Sequence, residues 1–215
     1  GCSELGSSTP LDLSNWDVTG VTTSQKMFSL CGKLANVSFT ANNWILSSCG
    51  AAYQMFYECF HSADSAGAVT MTNWTIGSSV NNCLVYNMFL NNSVFNGNLS
   101  NWTVYSNNGQ RMFENCQNFT GNGLNSHNWY ITSGTSGTAT TPFQSCFWLC
   151  PNLDDAKLSA LLANCKTIAM ANTDYNHFVG FGIHKSRSIG LTAGTLLNNV
   201  QSLEASPYSW EFTPA

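Results

Sequence analysis

The residue types best suited to chemistry in this sequence are nine cysteines, four histidines and eleven carboxylates. Catalysis needs such groups within hydrogen-bond reach of each other, in environments that tune their pKa values. The sequence has no segment with the spacing of a zinc-protease, serine-hydrolase or phosphate-loop motif. The adjacent Asp154 and Asp155 are explained by a helix start, where the helix dipole favours carboxylates. We therefore predict that the protein is not an enzyme and needs no cofactor.

A metal site is the second possibility for these residue types. Cys146 and Cys150 are separated by three residues, and His127 or His177 could complete a set of ligands. Structural zinc sites usually combine two such pairs, and the sequence offers no second pair at ligand spacing. The sequence therefore predicts no metal site.

Charged residues are scarce throughout the chain. They form 8% of the 215 residues, the net charge is −4, and only seven residues are Lys or Arg. A nucleic-acid partner requires a basic patch, so this class of partner is excluded. No run of about 18 apolar residues, the length that spans a membrane, is present. The abundance of Asn, Ser, Thr and Gly is typical of secreted proteins, and we predict an extracellular or surface-displayed location without a membrane span.

The elements that would position functional groups come from an internal repeat. Tryptophan recurs at steps of 28, 30, 28 and 27 residues, each time directly after an asparagine, and two further anchors follow in constant order. The tryptophans are Trp16, Trp44, Trp74, Trp102 and Trp129, the phenylalanines are Phe28, Phe56, Phe89, Phe113 and Phe143, and the third anchors are Cys31, Cys59, Asn92, Cys116 and Cys146. A period of about 20 to 50 residues predicts a solenoid or another repeat array.

Each repeat unit contains two short elements. The segment that starts at Asn-Trp alternates apolar and polar residues, which predicts a brief strand. The Met-Phe-x-x-Cys segment predicts one or two helical turns with a single buried stripe. Neither element can bury its own apolar face, so neighbouring units must stack their strands in parallel around a continuous aromatic core. All five tryptophans are therefore expected to be buried at equivalent positions.

The first unit, LSNWDVTGVTTSQKMFSLC at residues 13–31, resembles the BspA-like leucine-rich repeat of surface proteins. The resemblance rests on Ser-Asn-Trp-Asp-Val and on the later Met-Phe pair, and it extends with weaker copies over residues 11–150. It implies a solenoid like that of leucine-rich repeats, used for adhesion or host recognition on a bacterial, phage or viral surface. The cysteines depart from the family pattern, which has small residues at their positions.

The repeated cysteine position suggests disulfides between adjacent units. The pairs would be Cys31 with Cys59 and Cys116 with Cys146, and the competing partners are Cys49, Cys83, Cys150 and Cys165. The candidate disulfide residues are Cys31, Cys59, Cys116, Cys146, Cys150 and Cys165. The alternative is that small buried cysteines fill the core without forming bonds.

Six Asn-X-Ser/Thr sequons are present, and they could carry glycans in a source that glycosylates. Asn73 and Asn101 precede repeat tryptophans, where the turn already occupies the side chain. The candidate glycosylation sites are therefore Asn36, Asn91, Asn98 and Asn118.

The pattern changes after Pro151, and we divide the chain into a five-unit solenoid over 1–150 and a C-terminal cap over 151–215. The first helix predicted in the cap buries Leu158, Leu161, Leu162 and Cys165, with Asn152 or Asp154 at its start. A second helix would carry Leu196, Leu197, Val200 and Leu203, and the segment Tyr-Ser-Trp-Glu-Phe-Thr would close the chain as a strand. Such a cap would shield the last unit of the solenoid.

Two functions without catalysis fit the sequence. The first is adhesion or recognition of a protein or glycan on another surface, with Tyr86, Tyr105 and Tyr130 as candidate binding residues. The second is a structural subunit of a surface filament, or a decoration or fibre protein of a virus particle, which assembles with copies of itself. Low charge, an odd cysteine and a first unit without a recognisable cap before Leu11 favour assembly.

Overall fold

The computed structural model describes residues 2–6, 9–61, 67–131, 143–171, 180–183 and 211–214. Short strands recur along the chain, and each pairs in parallel with its counterpart in the next unit. The first sheet contains β1 (Leu11–Asp12), β2 (Phe39–Thr40) and β4 (Val69–Thr70), and the second contains β3 (Ile45–Leu46), β5 (Thr75–Ile76), β6 (Thr103–Ser106) and β7 (Asn128–Ile131). A third column consists of single bridges between Thr23, Ala51, Leu84 and Asn108.

Successive units therefore add strands or bridges to three columns in which the backbones pair in parallel. In the second sheet, Ile45 pairs with Thr75, and Thr75 pairs with Thr103. Strands of two residues cannot hold an isolated sheet, so these sheets exist only because the units stack. The prediction of a repeat solenoid with short parallel strands is confirmed.

Aromatic side chains fill the interior in two columns. Trp44, Trp74 and Trp102 stack with ring centroids 4.9 Å apart, and Phe28, Phe56, Phe89 and Phe113 follow one another at 5.1 to 5.2 Å. These distances are close to the spacing of about 4.8 Å between neighbouring strands, because equivalent side chains are offset by one strand. Each buried indole of the column also donates its N–H to the preceding unit, as Trp44 does to the Leu13 carbonyl at 3.0 Å.

The Met-Phe-x-x-Cys segments fold as runs of β-turns instead of the predicted helical turns. In the first unit, the N–H groups of Met27 and Ser29 donate to carbonyls three residues earlier in the chain. The N–H of Phe28, which lies between them, donates forward to a carbonyl of the next unit. A helix would use these N–H groups internally and could not join one unit to the next. Leu30 in this segment and Lys26 directly before it have positive φ angles, and their counterparts in later units do as well.

Trp16 is 54% exposed, so the prediction that all five tryptophans are buried is wrong at this position. One side of its ring stacks on Trp44, with centroids 6.3 Å apart. The described residues before β1 pack elsewhere on the first unit, where Gly6 lies against Leu34 and Val37. They leave the outer side of Trp16 in solvent.

Trp129 is buried, but the prediction of its register is wrong by two residues. β6 and β7 pair Thr103 with Asn128, so His127 occupies the place beside Trp102. The His127 ring stacks on Trp102 with centroids 5.6 Å apart and planes 1° from parallel. Its Nε2–H donates to the carbonyl of Leu99 at 2.5 Å, the type of bond that each indole of the column makes. The tryptophan column therefore ends in a histidine.

The register of the phenylalanine in the fifth unit is also wrong, by four residues. Phe113 stacks on Phe147 with centroids 5.6 Å apart, and the Phe113 N–H donates to the carbonyl of Cys146. In earlier units this carbonyl belongs to the methionine. Cys146 therefore stands at the methionine position, Phe147 at the phenylalanine position and Cys150 at the cysteine position. Phe143 is buried at a different place in the core.

The chain leaves the repeat through a helix and a further sheet. α1 (Asp155–Ala171) follows Asp154, whose Oδ1 accepts from the N–H groups of Ala156 and Lys157 at 2.8 and 3.1 Å. Asp154, and not Asn152, is therefore the capping residue. The buried residues of α1 include Leu158, Leu161, Leu162 and Cys165, and the helix packs on the 3-10 turn Leu124–Ser126 and on β7.

β8 (Phe143–Phe147), β9 (Gly180–Ile183) and β10 (Glu211–Pro214) form a third parallel sheet, and β10 overlaps the strand predicted at the end of the chain. Another 3-10 turn, Gly32–Asn36, lies in the first unit. The second predicted helix, with Leu196, Leu197, Val200 and Leu203, lies outside the described residues. The division at residue 150 stays a prediction.

Candidate interaction surface

The outer face of the second sheet combines a tyrosine pair with small polar residues. Inward residues such as Leu46, Ile76 and Val104 are buried, so their neighbours along each strand point outward. One outward column consists of Ile45, Thr75, Thr103 and Asn128. The next column contains Tyr105 and Tyr130, and its earlier positions are the half-buried Ser47 and the buried Gly77. The half-buried rings of Tyr105 and Tyr130 stack with centroids 4.4 Å apart and planes 14° from parallel. We call this pair the tyrosine step.

Gly77 is buried next to the tyrosine step. Gly77 has a φ of +70°, and a Cβ there would lie 2.7 Å from the carbonyl oxygen of Tyr105. Only glycine fits this turn without strain. Asn81 and Cys83 also come within 3.1 Å of this Cβ position, so the turn over 78–83 covers Gly77 and adjoins the tyrosine step.

A row of asparagine side chains lies just before three of the same strands. Asn43, Asn73 and Asn101 each precede a repeat tryptophan and have φ angles between 59° and 62°. Asn73 Nδ2 donates to Asn43 Oδ1, and Asn101 Nδ2 donates to Asn73 Oδ1, at 2.9 Å each. Asparagine is among the few residues that tolerate this left-handed conformation. The result is an exposed row of amides, which we call the asparagine row.

Tyr86, the other candidate binding residue, lies in a separate column. Its ring stacks on Tyr53 with centroids 4.4 Å apart, in the turn segments that follow the third column of bridges. Gln110 continues this column in the fourth unit, since its carbonyl accepts from the residue after Tyr86. The structure therefore brings Tyr105 and Tyr130 together and keeps Tyr86 apart from them.

All nine cysteines belong to the described residues, and all are free thiols there. In the repeated position, Cys116 Sγ donates to the Phe89 carbonyl at 3.1 Å, and Cys150 Sγ donates to the Phe113 carbonyl at 2.9 Å. Cys59 makes the same contact with the first unit. Burial raises the pKa of the Cys59 and Cys116 thiols, which keeps them protonated and unreactive at neutral pH. This arrangement corresponds to the alternative in which cysteines fill the core.

Asn92 stands in the same column and was not predicted to have a structural role. Its Oδ1 accepts from the N–H groups of Cys59 and Phe60 at 2.8 and 2.7 Å. Its Nδ2 donates to the carbonyls of Phe56 and Phe89 at 2.7 and 2.8 Å. A fully buried amide is stable only when its donors and acceptors are paired in this way. In the sequence, this role is indicated by the place of Asn92 at the position where other units have a cysteine.

The candidate glycosylation sites differ in exposure. Asn118 is exposed. Asn91 is half-buried and donates to Glu58 Oε1 at 3.1 Å. Asn98 Oδ1 accepts from Ser100, and the Oδ1 of Asn36 is buried. Because a glycan must extend into solvent, Asn118 is the site that the structure makes accessible.

His127 is a buried structural group. Burial lowers its pKa to about 4. Nε2–H donates to Leu99, so Nδ1 is the acceptor for the Trp129 indole N–H at 3.1 Å. The ring is therefore neutral and doubly hydrogen-bonded at pH 7. Sequence reasoning had considered it as a zinc ligand.

Within the described part of the chain, no three His, Cys, Asp or Glu side chains come together in a way that could hold a metal ion. His177 lies outside that part. None of the described helices combines the length and the apolar character that a membrane crossing requires.

These features define the class of molecule: a repeat protein that folds as a β-solenoid, with aromatic columns inside and side-chain ladders outside. Residues 6–69 and 64–147 match the model of a family described as "Mycoplasma protein of unknown function, DUF285". The two matches together cover most of the chain, and the protein belongs to this family. Comparison with curated proteins and with solved structures gives no match.

Proposed function

We propose that the protein is an extracellular or surface-displayed repeat protein of the BspA-like leucine-rich type, which binds a glycan or protein on another surface and catalyses no reaction. The observation that carries the proposal is the tyrosine step, in which the rings of Tyr105 and Tyr130 stack on the outer face of the second sheet. Tyrosine rings offer apolar faces and a polar tip at a low cost in conformational entropy, which suits binding surfaces.

The surroundings of the tyrosine step support a neutral partner. The asparagine row supplies exposed amide donors and acceptors along the same sheet. Thr103 and Asn128 add further polar groups in the neighbouring outward column. Charged residues form only 8% of the chain, so recognition depends on stacking and neutral hydrogen bonds. Sugars offer both, through their C–H faces and hydroxyl groups.

The test is a glycan array and cell-binding screen of the intact protein, followed by two matched double variants. Tyr105→Ala with Tyr130→Ala should weaken binding to any ligand found by about tenfold or more, as loss of an aromatic anchor does. Tyr53→Ala with Tyr86→Ala removes the other tyrosine stack and should leave affinity within about twofold. Circular dichroism checks that both variants fold. Equal affinity of the wild type and the Tyr105/Tyr130 variant would reject the tyrosine step as the binding site.

A second candidate function is a structural subunit of a surface filament, or a decoration or fibre protein of a virus particle. Trp16 and Met27 in the first unit are 54% and 38% exposed, whereas their equivalents Trp44 and Met55 are completely buried. Another coil of the same repeat would bury both side chains. Light scattering over a concentration series, with and without reductant, should then show growth that Trp16→Lys abolishes. A mass that stays at 23.4 kDa at every concentration would reject this candidate.

A further inference from the structure

Two cysteines outside the repeated position meet between the second and third units. Cys49 and Cys83 are both completely buried, and their thiols are in hydrogen-bond contact. Cys49 Sγ also lies 3.5 Å from Ser24 Oγ and 3.3 Å from the Ala51 carbonyl oxygen. The Cys49 thiol therefore has a defined position in the core, next to the Cys83 thiol.

The third column of bridges determines how far apart the two backbones lie. Ala51 pairs in parallel with Leu84, so Cys83 is opposite Gly50 and one residue further along than Cys49. The chain bends at Gly50 and does not continue as a strand, so the Cys49 and Cys83 side chains both enter the core although they are one residue out of step. Paired backbones lie about 4.8 Å apart, and disulfides span Cα separations of about 4.4 to 6.8 Å, so neighbouring backbones are close enough for a bond.

The pairs predicted from the repeat have less suitable geometry. Cys31 and Cys59 occupy equivalent positions, so their Cα–Cβ bonds are parallel and their Cβ atoms lie about one strand spacing, or 4.8 Å, apart. A disulfide needs Cβ atoms within about 3.5 to 4.5 Å of each other. Cys116 and Cys146 stand at different positions of their units, because Cys146 replaces the methionine.

We propose that Cys49 and Cys83 form a disulfide bond that joins the second and third units when the protein folds in an oxidising compartment. The oxidant is a small-molecule disulfide of the glutathione type. One of the two cysteines attacks a sulfur of the oxidant as its thiolate, forms a mixed disulfide and releases one glutathione. The other cysteine then gives its proton to solvent and attacks the sulfur of the first, which releases the second glutathione. Two cysteine thiols are oxidised, and one glutathione disulfide is reduced to two thiols.

The timing of the exchange follows from the burial of the site. Both sulfur atoms are completely buried in the folded protein. The exchange therefore takes place during folding, before the third unit closes over the second.

The experiment is to refold the reduced protein in a mixture of reduced and oxidised glutathione, alkylate the remaining thiols and map the peptides by mass spectrometry without reduction. We expect one cross-linked peptide pair that contains Cys49 and Cys83. Alkylation of both residues, or a bond from either of them to another cysteine, would overturn the proposal. This measurement uses the wild-type protein and does not depend on whether a variant folds.

Thermal unfolding provides a second readout. Because the bond closes a loop across two units, reductant should lower the midpoint of the refolded wild type by about 5 °C. Cys49→Ser with Cys83→Ser should remove this sensitivity, and the control Cys31→Ser with Cys59→Ser should retain it. An equal response to reductant in the wild type and in the Cys49/Cys83 variant would contradict the assignment. The result is independent of the tyrosine step and of any ligand.

Discussion

The third and fifth units occupy the same fold with different residues. In the third unit, Trp74 lies between Trp44 and Trp102 at 4.9 Å from each. In the fifth, His127 takes the equivalent place and stacks on Trp102 at 5.6 Å. Both side chains direct a ring N–H at a carbonyl of the preceding unit. The position therefore requires a flat ring with a donor at one edge, and either indole or imidazole meets this requirement.

The cysteine column shows the same tolerance. Cys150 in the fifth unit donates to the Phe113 carbonyl at 2.9 Å. Asn92 in the third unit makes four hydrogen bonds, one of which goes to the Phe56 carbonyl in the same way. This position therefore requires a donor to the phenylalanine carbonyl, and either a thiol or an amide can supply it.

The largest expected effect separates the middle of the tryptophan column from its exposed end. Trp74→Ala should lower the free energy of unfolding by about 4 kcal/mol, because it opens a cavity between two stacked rings. Trp16→Ala should cost less than about 1 kcal/mol, because Trp16 is more than half exposed. Urea denaturation followed by circular dichroism measures both values. Similar losses of stability in the two variants would mean that burial does not determine how much each tryptophan of the column contributes.

His127 should make the fifth unit sensitive to acid. Its pKa falls from 6.5 to about 4 on folding, so the unfolded chain binds a proton at a higher pH than the folded protein does. This contribution to stability is complete above pH 6.5, and about 3 kcal/mol is lost as the pH falls to about 4.

The matched control for the acid effect is His127→Phe, which keeps a flat ring and removes the titration. The free energy of unfolding should fall less steeply between pH 6.5 and pH 4 in this variant than in the wild type. Carboxylates such as Asp12 and Asp17 contribute equally to both proteins. If the free energy of unfolding fell equally with pH in both proteins, protonation of His127 would not destabilise the fold.

The smallest of the three expected differences is that between two variants of Asn92. Asn92→Ala should cost about 2 kcal/mol, because it leaves the Phe60 N–H and the Phe56 carbonyl buried without their amide partner. Asn92→Cys should cost about half as much, because a thiol can donate to the Phe56 carbonyl as Cys150 does to Phe113. Thermal unfolding of the two variants measures the difference. A cysteine variant less stable than the alanine variant would contradict the equivalence of the two side chains.

The solenoid could be predicted because Trp74, Phe89 and their equivalents recur at nearly constant spacing. The fifth unit was placed wrongly because the alignment followed residue type to Trp129 and Phe143. The correct register is visible in QSCFWLC at 144–150 when it is compared with QKMFSLC at 25–31. The substitution of Cys146 for methionine hid this match.

The turn conformation could not be predicted from local preference. Lys26 and Arg111 have positive φ angles although neither residue type favours them. Hydrogen bonds to the following unit impose these angles, and such bonds are invisible in a single unit. The sequence identified Tyr105 and Tyr130 as candidate binding residues, but it could not show that their rings stack. Tyr105 and Tyr130 both lie three residues after the ring of their column only when that ring is His127 in the fifth unit.

The forward direction of the turn hydrogen bonds gives the molecule an electrical axis. The N–H of Phe28 points to the Met55 carbonyl, that of Phe56 to Met88, and that of Phe89 to Met112. Peptide dipoles aligned head to tail add, as they do in an α-helix. The column of turns therefore has its negative pole at the first unit and its positive pole at the fifth. In a chain with few charged side chains, this column gives its two ends opposite polarity, and a cationic group is favoured at its end in the first unit.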